Sequence, residues 1–171
     1  ILLLLLGVVI LLGKISLDLY LGQSNLKNSQ ASLISGDFEK AQKQANNAEN
    51  SFKSAKAEVQ FIAYPLTFVL KEETDQVTNV VKSLELTATA ASSFVEGSKN
   101  LAHNFAIIAN PSAKNEGFDL DLPSANFKKA YSDSSQALFL IKSQKNLPFK
   151  QQLQTATQEL EKLNFVSQRA Y

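Results

Sequence analysis

Apolar residues recur at alternating intervals of three and four positions between Phe38 and Leu66, in a stretch that is otherwise almost entirely polar. This spacing keeps them on one face of an α-helix, and it predicts a helix over residues 38–63. Four of the positions are alanine, which buries little surface but lets neighbouring helices approach closely, so this helix needs larger side chains from its neighbours. The seam consists of Phe38, Ala41, Ala45, Ala48, Phe52, Ala55, Val59, Ile62 and Leu66.

Residues at both ends of this seam predict where the helix begins and ends. Gly36 suits the left-handed conformation that closes a preceding helix, and the Asp37 carboxylate can accept hydrogen bonds from the first amides of the next one. Pro65 ends or kinks the helix because its ring clashes with the preceding turn. Together these signals predict an antiparallel pair of helices joined at Gly36.

The same periodicity predicts further helices over residues 22–34, 66–109, 124–143 and 148–168, with a proline-containing loop over residues 110–123. No segment alternates as a strand does. The fold class predicted is therefore all-α, an elongated antiparallel helical bundle of about five helices, the first continuing from an N-terminal transmembrane segment. The predicted core positions are Leu70, Val77, Val80, Leu84, Ala91, Phe94, Leu101, Phe105 and Ile108 in the third helix, Phe127, Ala130, Ser134, Ala137 and Ile141 in the fourth, and Phe149, Leu153, Ala156, Leu160 and Leu163 in the fifth.

The chain begins with an uncharged apolar run, Ile1 to Gly13. As a helix this run covers about 20 Å, less than the bilayer's hydrocarbon core of about 30 Å. We expect residues 1–21 to form an N-terminally truncated transmembrane anchor and residues 22–171 to form a helical bundle domain, because consecutive leucines leave a soluble helix no polar face. The alternatives are a signal-peptide core and a buried helix of a soluble protein. The absence of methionine indicates a processed or fragmentary chain.

Charge and composition remove several classes of function. The formal net charge is +1 and the basic residues are scattered, so we expect no nucleic-acid partner. The chain has no cysteine, which excludes disulfides, thiolate metal sites and cysteine nucleophiles. It also contains no glycine-rich phosphate loop and no hydrolase motif, and we expect no cofactor.

Few residues are candidates for chemistry. His103 is the only histidine, so a metal centre or a catalytic triad would depend on it alone, and a surface histidine is the favoured interpretation. Asp119 and Asp121 offer oxygen ligands for calcium, but their surroundings lack the glycine and the bidentate glutamate of a calcium-binding loop. We therefore predict no catalytic, cofactor-binding or metal-binding residue, and no enzymatic activity.

The order of features after the apolar run resembles a known family. A Gly-Asp-aromatic step followed by spaced alanines, then a Tyr-Pro-Leu break and a long helix, is similar to the N-terminal helical part of the bacterial membrane-anchored domain-of-unknown-function family 4012. The resemblance extends from Leu26 to Asn110 and implies a longer envelope protein, but no catalytic residues. Its matching residues are Gly36, Asp37, Phe38, Ala41, Ala48 and Ala55.

These observations predict a non-enzymatic, single-pass membrane protein of the bacterial cell envelope, with the bulk of the chain extracytoplasmic. We expect it to act in protein–protein interaction or as a scaffold or spacer, with the membrane as one partner and other proteins, or self-association, as the others. The alternative is a ligand-sensing helical bundle of a chemoreceptor-like membrane protein. An envelope enzyme and a pore are weaker interpretations, the latter because Ile1 to Gly13 has no polar stripe.

Overall fold

A computed structural model describes the backbone of residues 2–66, 70–109, 119–143 and 150–171. It describes the side chains of residues 11–64, 70–109, 119–143, 154 and 157–171. In these ranges every regular element is an α-helix, so the predicted all-α class is confirmed. The helices are α1 (Leu2–Ile34), α2 (Phe38–Leu66), α3 (Lys71–Ala109), α4 (Asp121–Lys142) and α5 (Lys150–Ala170).

The turn between α1 and α2 has the structure that its sequence predicts. Gly36 has a φ of +80°, its N–H donates to the carbonyl of Leu33 over 3.1 Å, and the Asp37 N–H donates to the carbonyl of Ser32 over 2.9 Å. This pair of bonds is a Schellman motif, which closes α1. The Asp37 carboxylate then accepts the N–H of Lys40 over 3.1 Å and caps α2.

Several helix boundaries differ from the predicted ones. Pro65 lies within α2, which ends at Leu66, and α3 begins at Lys71. α4 begins at Asp121, not at residue 124, because the Asp119 carboxylate accepts the N–H of Asp121 over 2.8 Å and so supports an earlier start. Residues 110–118 of the predicted loop, and Phe149, Leu153 and Ala156 of the fifth predicted seam, lie outside the described residues or side chains.

The helices pack against one another in chain order, each antiparallel to its predecessor. The register is visible in contacts whose residue numbers run in opposite directions on the two helices. They are Lys14 with Glu58 and Ser29 with Ala41 for α1 and α2, Lys56 with Glu85 and Lys99 with Glu39 for α2 and α3, Phe94 with Phe127 and Asn104 with Asp119 for α3 and α4, and Lys142 with Glu161 and Ser134 with Asn164 for α4 and α5.

The alanine seam of α2 is buried between α1 and α3, as the sequence predicts. Phe52 is its largest fully buried side chain, and it packs with Leu19 and Leu26 of α1 and with Ala88 of α3. A Cβ added to Gly22 would lie 2.5 Å from the Phe52 ring, so α1 can come this close only at a glycine. The fully buried alanines of this seam are Ala41, Ala45, Ala48 and Ala55.

The single apolar stripe predicted for α3 is wrong at both ends of the helix, where Leu70, Val77, Phe105 and Ile108 are exposed. α3 buries two narrower faces because it lies between α2 and α4, and much of both faces consists of small residues that let helices approach. Val81, Leu84 and Ala88 face α2. The face towards α4 is built from Ser83, Leu86, Ala90, Ser93, Gly97 and Asn104, spaced three, four or seven residues apart.

No helix in the described part of the chain is long and apolar enough to cross a membrane. The transmembrane anchor predicted for residues 1–21 thus has no support from the described residues, and the side chains of residues 1–10 lie outside them. Among the described side chains of α1, Lys14 and Asp18 are charged, and the helix becomes polar from Gln23 onwards. Ile15 packs against Ala55 and Val59, so this part of α1 belongs to the bundle.

Candidate functional site

No three His, Cys, Asp or Glu side chains gather as a metal site in the part of the chain that the structure describes. His103 is exposed on α3. Asp119 is used in the local structure, since its carboxylate accepts the N–H groups of Asp121 and Leu122. The Asn104 amide on α3 also bonds both backbone groups of Asp119. Asp119 therefore has a sufficient role in supporting the first turn of α4.

A compact polar cluster lies between α1 and α2. The Lys14 ammonium bonds the Glu58 carboxylate, and it lies 3.5 Å from the Ser54 hydroxyl and 3.9 Å from the Asp18 carboxylate. The Ser54 hydroxyl also donates to Glu58 over 3.3 Å. We call these four residues the Lys14 cluster.

The Lys14 cluster contains more negative charge than its single ammonium can balance. One oxygen of Asp18 and one of Glu58 are buried, and neither has a hydrogen-bond partner. Burying a carboxylate is unfavourable unless it is paired, so Lys14 is the group that makes this arrangement tolerable. Lys14 and Asp18, the two charged residues near the start of α1, thus contact α2 or each other.

The opposite side of α1 is apolar and exposed over the same stretch. Leu17, Tyr20 and Leu21 are 55%, 67% and 40% exposed, while Ile15 and Leu19 pack on the α2 side. We call Leu17, Tyr20 and Leu21 the outer stripe.

Lys14, whose side chain is 55% exposed, lies three residues before Leu17 and seven before Leu21, so it borders the outer stripe. The Ser16 hydroxyl beside it donates to the carbonyl of Leu12 over 2.9 Å, so this polar group is satisfied within the helix. From Gln23 onwards the same side of α1 becomes polar, with Ser24, Lys27 and Asn28. The outer stripe therefore extends the apolar character of the first thirteen residues to Leu21 on one side of the helix only.

Two other surface features are an open groove and a pair of exposed ion pairs. An open groove of about 290 Å³ lies between α3 and α4, lined by Lys82, Ser135, Gln136, Phe139 and Leu140. Phe139 is 73% exposed there, so the groove is not enclosed.

Surface ion pairs raise the pKa of two lysines. Hydrogen bonding to Glu49, with its charge, raises the pKa of Lys53 above 10.5, and Glu39 does the same for Lys99. Their stabilisation is present below pH 10.5 wherever the partner glutamates are ionised, and it is lost as the pH rises through the raised pKa values. Both pairs are exposed, and such pairs contribute little to stability.

Sequence reasoning did not single out the Lys14 cluster or the outer stripe. The cluster had one available signal, namely that Lys14 and Asp18 are four residues apart on a helix and so can pair. Glu58 gave no such signal because its partner is 44 residues away. The outer stripe was not recognised because apolar residues occur both on the α2 side of this segment and on its exposed side.

The chain matches no protein-family model, no curated protein and no solved structure in three comparisons. The resemblance carried by Gly36, Asp37 and the spaced alanines stays a prediction. Function is therefore argued from the helices and surfaces themselves.

Proposed function

We propose that this chain is a non-enzymatic, membrane-anchored helical module of the bacterial cell envelope that acts as a scaffold or spacer and as a docking surface for proteins. The apolar run Ile1 to Gly13 is the anchor in this proposal, and the bundle begins at Lys14. An extracytoplasmic position of the bundle is part of the same proposal.

One observation carries the proposal: α1 runs without a break from the apolar run into the bundle, from Leu2 to Ile34. A helix of this length extends about 50 Å. A continuous helix transmits the position of one end to the other, whereas a flexible linker does not. Whatever holds the apolar run therefore also positions the bundle.

Hydrogen bonds between α1 and α2 support this rigid connection. The buried Ser29 hydroxyl donates to the carbonyl of Ala41 over 2.8 Å, and the Ser32 hydroxyl bonds the Gln44 side chain over 2.9 Å. The Lys14 cluster joins the same two helices near the apolar run. The pair is thus tied at both ends of its interface, as a spacer requires.

The test is the membrane association of the full chain and of a variant that lacks residues 1–13. Membranes from expressing cells are washed at alkaline pH, which removes peripheral proteins. We expect the full chain to stay in the membrane pellet and the shortened variant to be released while keeping its helical circular dichroism signal. Release of the full chain by the wash would overturn the anchor. Protease digestion of intact spheroplasts then tests the side on which the bundle lies.

A ligand-sensing bundle is the second candidate. It would use the groove between α3 and α4, whose volume of about 290 Å³ is at the lower limit of small-molecule sites. The groove is open and presents an exposed Phe139, whereas small ligands are usually enclosed by their sites. This candidate therefore ranks second.

A further inference from the structure

We propose that α5 is a detachable strap, whose residues 157–170 open from α4 as a unit while the other four helices stay folded. The proposal concerns a conformational device within the bundle, and it does not rest on the membrane anchor or on docking to other proteins. It is argued from residues 157–171 of the chain, whose side chains the structure describes.

α5 rests on a single neighbour. In the part of the chain that the structure describes, it packs on α4 and makes only slight contact with α3. On its outer side Phe165 and Val166 are exposed, and the Arg169 guanidinium lies 4.4 Å from the centre of the Phe165 ring. Removing α5 therefore leaves the packing among the other four helices in place.

The contact between α5 and α4 contains little apolar surface. Of the side chains described over residues 157–171, only Leu160 and Ser167 are buried. Leu160 packs with Ala137 and Ile141 of α4. α2, by contrast, buries a whole seam of apolar side chains between its two neighbours. Because the burial of apolar surface is the main force that holds helices together, α5 is held less firmly than α2.

A side-chain amide joins the two helices. The Asn164 amide nitrogen on α5 donates to the hydroxyls of Ser134 and Ser135 on α4, over 2.9 and 2.7 Å. The carbonyl of Tyr131 lies 3.2 Å from the same nitrogen. These bonds are exchanged for bonds to water when the helix opens, so their net contribution to stability is small. Asn164 is thus a latch that fixes the position of α5 but releases readily.

Ser167 favours the open state. Its side chain is fully buried, yet its hydroxyl has no hydrogen-bond partner. Ser29 of α1 is also buried, but its hydroxyl donates to a backbone carbonyl of α2. A buried hydroxyl without a partner is unfavourable, and the opening of α5 returns the Ser167 hydroxyl to water.

α4 keeps its own support when α5 leaves. Phe127 of α4 packs against the Phe94 ring of α3, with ring centroids 5.4 Å apart. The Ser134 hydroxyl donates to the carbonyl of Tyr131 over 3.0 Å, so it keeps a partner within α4. Opening therefore uncovers the apolar face of α4 that Leu160 covers, without removing the contacts that hold α4 to α3.

Amide hydrogen exchange of the full chain, read by mass spectrometry, tests the proposal. We expect the amides of residues 157–170 to be protected about tenfold less than those of residues 41–59 in α2. Low concentrations of urea should change the exchange of α5 little, because opening one helix exposes little surface. Equal protection of α5 and α2, with the same dependence on urea, would show that α5 opens only by global unfolding and would overturn the proposal.

Two substitutions should change the opening in opposite directions. Asn164→Ala should speed the exchange of α5 several-fold because it removes the latch, and Ser167→Ala should slow it several-fold because it removes the unpartnered hydroxyl. Gln168→Ala, at an exposed position of the same helix, is the control for the helix propensity of alanine. The proposal is wrong if Asn164→Ala leaves the exchange of α5 unchanged, or if Ser167→Ala slows it no more than Gln168→Ala does.

A crosslink between the helices separates opening from fraying. Lys142 of α4 and Glu161 of α5 form an exposed ion pair, with 2.6 Å between the ammonium and the carboxylate. The chain has no cysteine, so Lys142→Cys and Glu161→Cys together can be joined specifically by a short bismaleimide. We expect the joined protein to lose the fast exchange of α5, and the same double variant without the crosslinker to keep it. Fast exchange that persists in the joined protein would show fraying of α5 in place and would contradict the strap.

Discussion

At the residue scale, two individual residues determine how closely α1 and α2 approach each other. The Lys14 ammonium lies near two carboxylates, those of Asp18 and Glu58, each of which has a buried oxygen without a hydrogen bond. Further along the same interface, Gly22 leaves room for the Phe52 ring. The balance of charge limits the contact at Lys14, and the volume of the side chains limits the contact at Gly22.

Replacing Lys14 should cost stability because it leaves Glu58 and Asp18 without a counter-charge. We expect Lys14→Met to lower the free energy of unfolding by about 1–3 kcal/mol, near the lower value because the lysine is partly exposed. Lys14→Met combined with Glu58→Gln should cost less than the sum of the two single changes. Urea unfolding of the four proteins measures this, and strict additivity would show that the two residues do not interact.

Gly22→Ala should destabilise the bundle, since the new methyl group would meet the Phe52 ring at 2.5 Å. We expect a loss of about 1–3 kcal/mol from the shift that Phe52 must make. Gly13→Ala is the matched control on the same helix, where nothing lies within 4 Å. It should be neutral or stabilising by up to about 1 kcal/mol, because alanine is the better helix former. Thermal unfolding compares them, and equal effects would contradict the close contact at Gly22.

At the element scale, the turn between α1 and α2 sets the pairing of the whole chain. Gly36 and Asp37 close one helix and open the next, which makes the two helices antiparallel and aligns the alanine seam with α1. The register of these helices brings Lys14 beside Glu58 and places the outer stripe on the free side of α1. A local turn thereby positions a surface well over ten residues away.

Changes at Gly36 should report on this turn. Gly36→Ala forces a Cβ into a φ of +80° and should cost about 1–2 kcal/mol. Gly36→Asn should cost less, because asparagine tolerates the left-handed conformation. Chemical denaturation provides the comparison. The prediction fails if alanine and asparagine behave alike, since open space around the residue leaves backbone conformation as the sole difference.

At the scale of the whole molecule, α3 holds the two parts of the bundle together. It packs α2 on one face and α4 on another, whereas α1 packs mainly on α2 and α5 mainly on α4. Ala88 faces Phe52 and Ala48, while Ala90, two positions on, belongs to the face that meets α4. A helix buried on two faces tolerates enlargement on neither.

Replacing either Ala88 or Ala90 by a larger residue should therefore destabilise the bundle. We expect Ala88→Leu and Ala90→Leu each to lower the free energy of unfolding by about 1–3 kcal/mol, since both alanines are fully buried. Lys82→Leu is the control on the exposed part of the same helix and should be close to neutral. Urea unfolding measures all three. A neutral Ala90→Leu would show that α4 does not cover that face.

Much of this architecture could be predicted from local patterns. The α2 seam from Ala41 to Val59, the seam of α4 from Phe127 to Ile141 and the turn at Gly36 all depend on residues close together in sequence, and all are confirmed. The stripe of α3 failed because a search for large apolar side chains overlooks a face built from Ser83, Ala90 and Gly97. Small residues are buried by the closeness of a neighbouring helix, which no local pattern reports.

By itself the sequence determined that the described chain is helical and where α1 ends and α2 begins. It also determined that the chain has one histidine and no cysteine as ligands for a metal or as a thiol. These properties follow from periodicity, caps and composition, which act over a few residues. Only the tertiary structure decided that Lys14 is committed to Glu58, that α3 is covered on two sides, and that Leu17, Tyr20 and Leu21 stay exposed. Which side of an apolar helix is free depends on where its neighbours lie, and helix packing alone determines that.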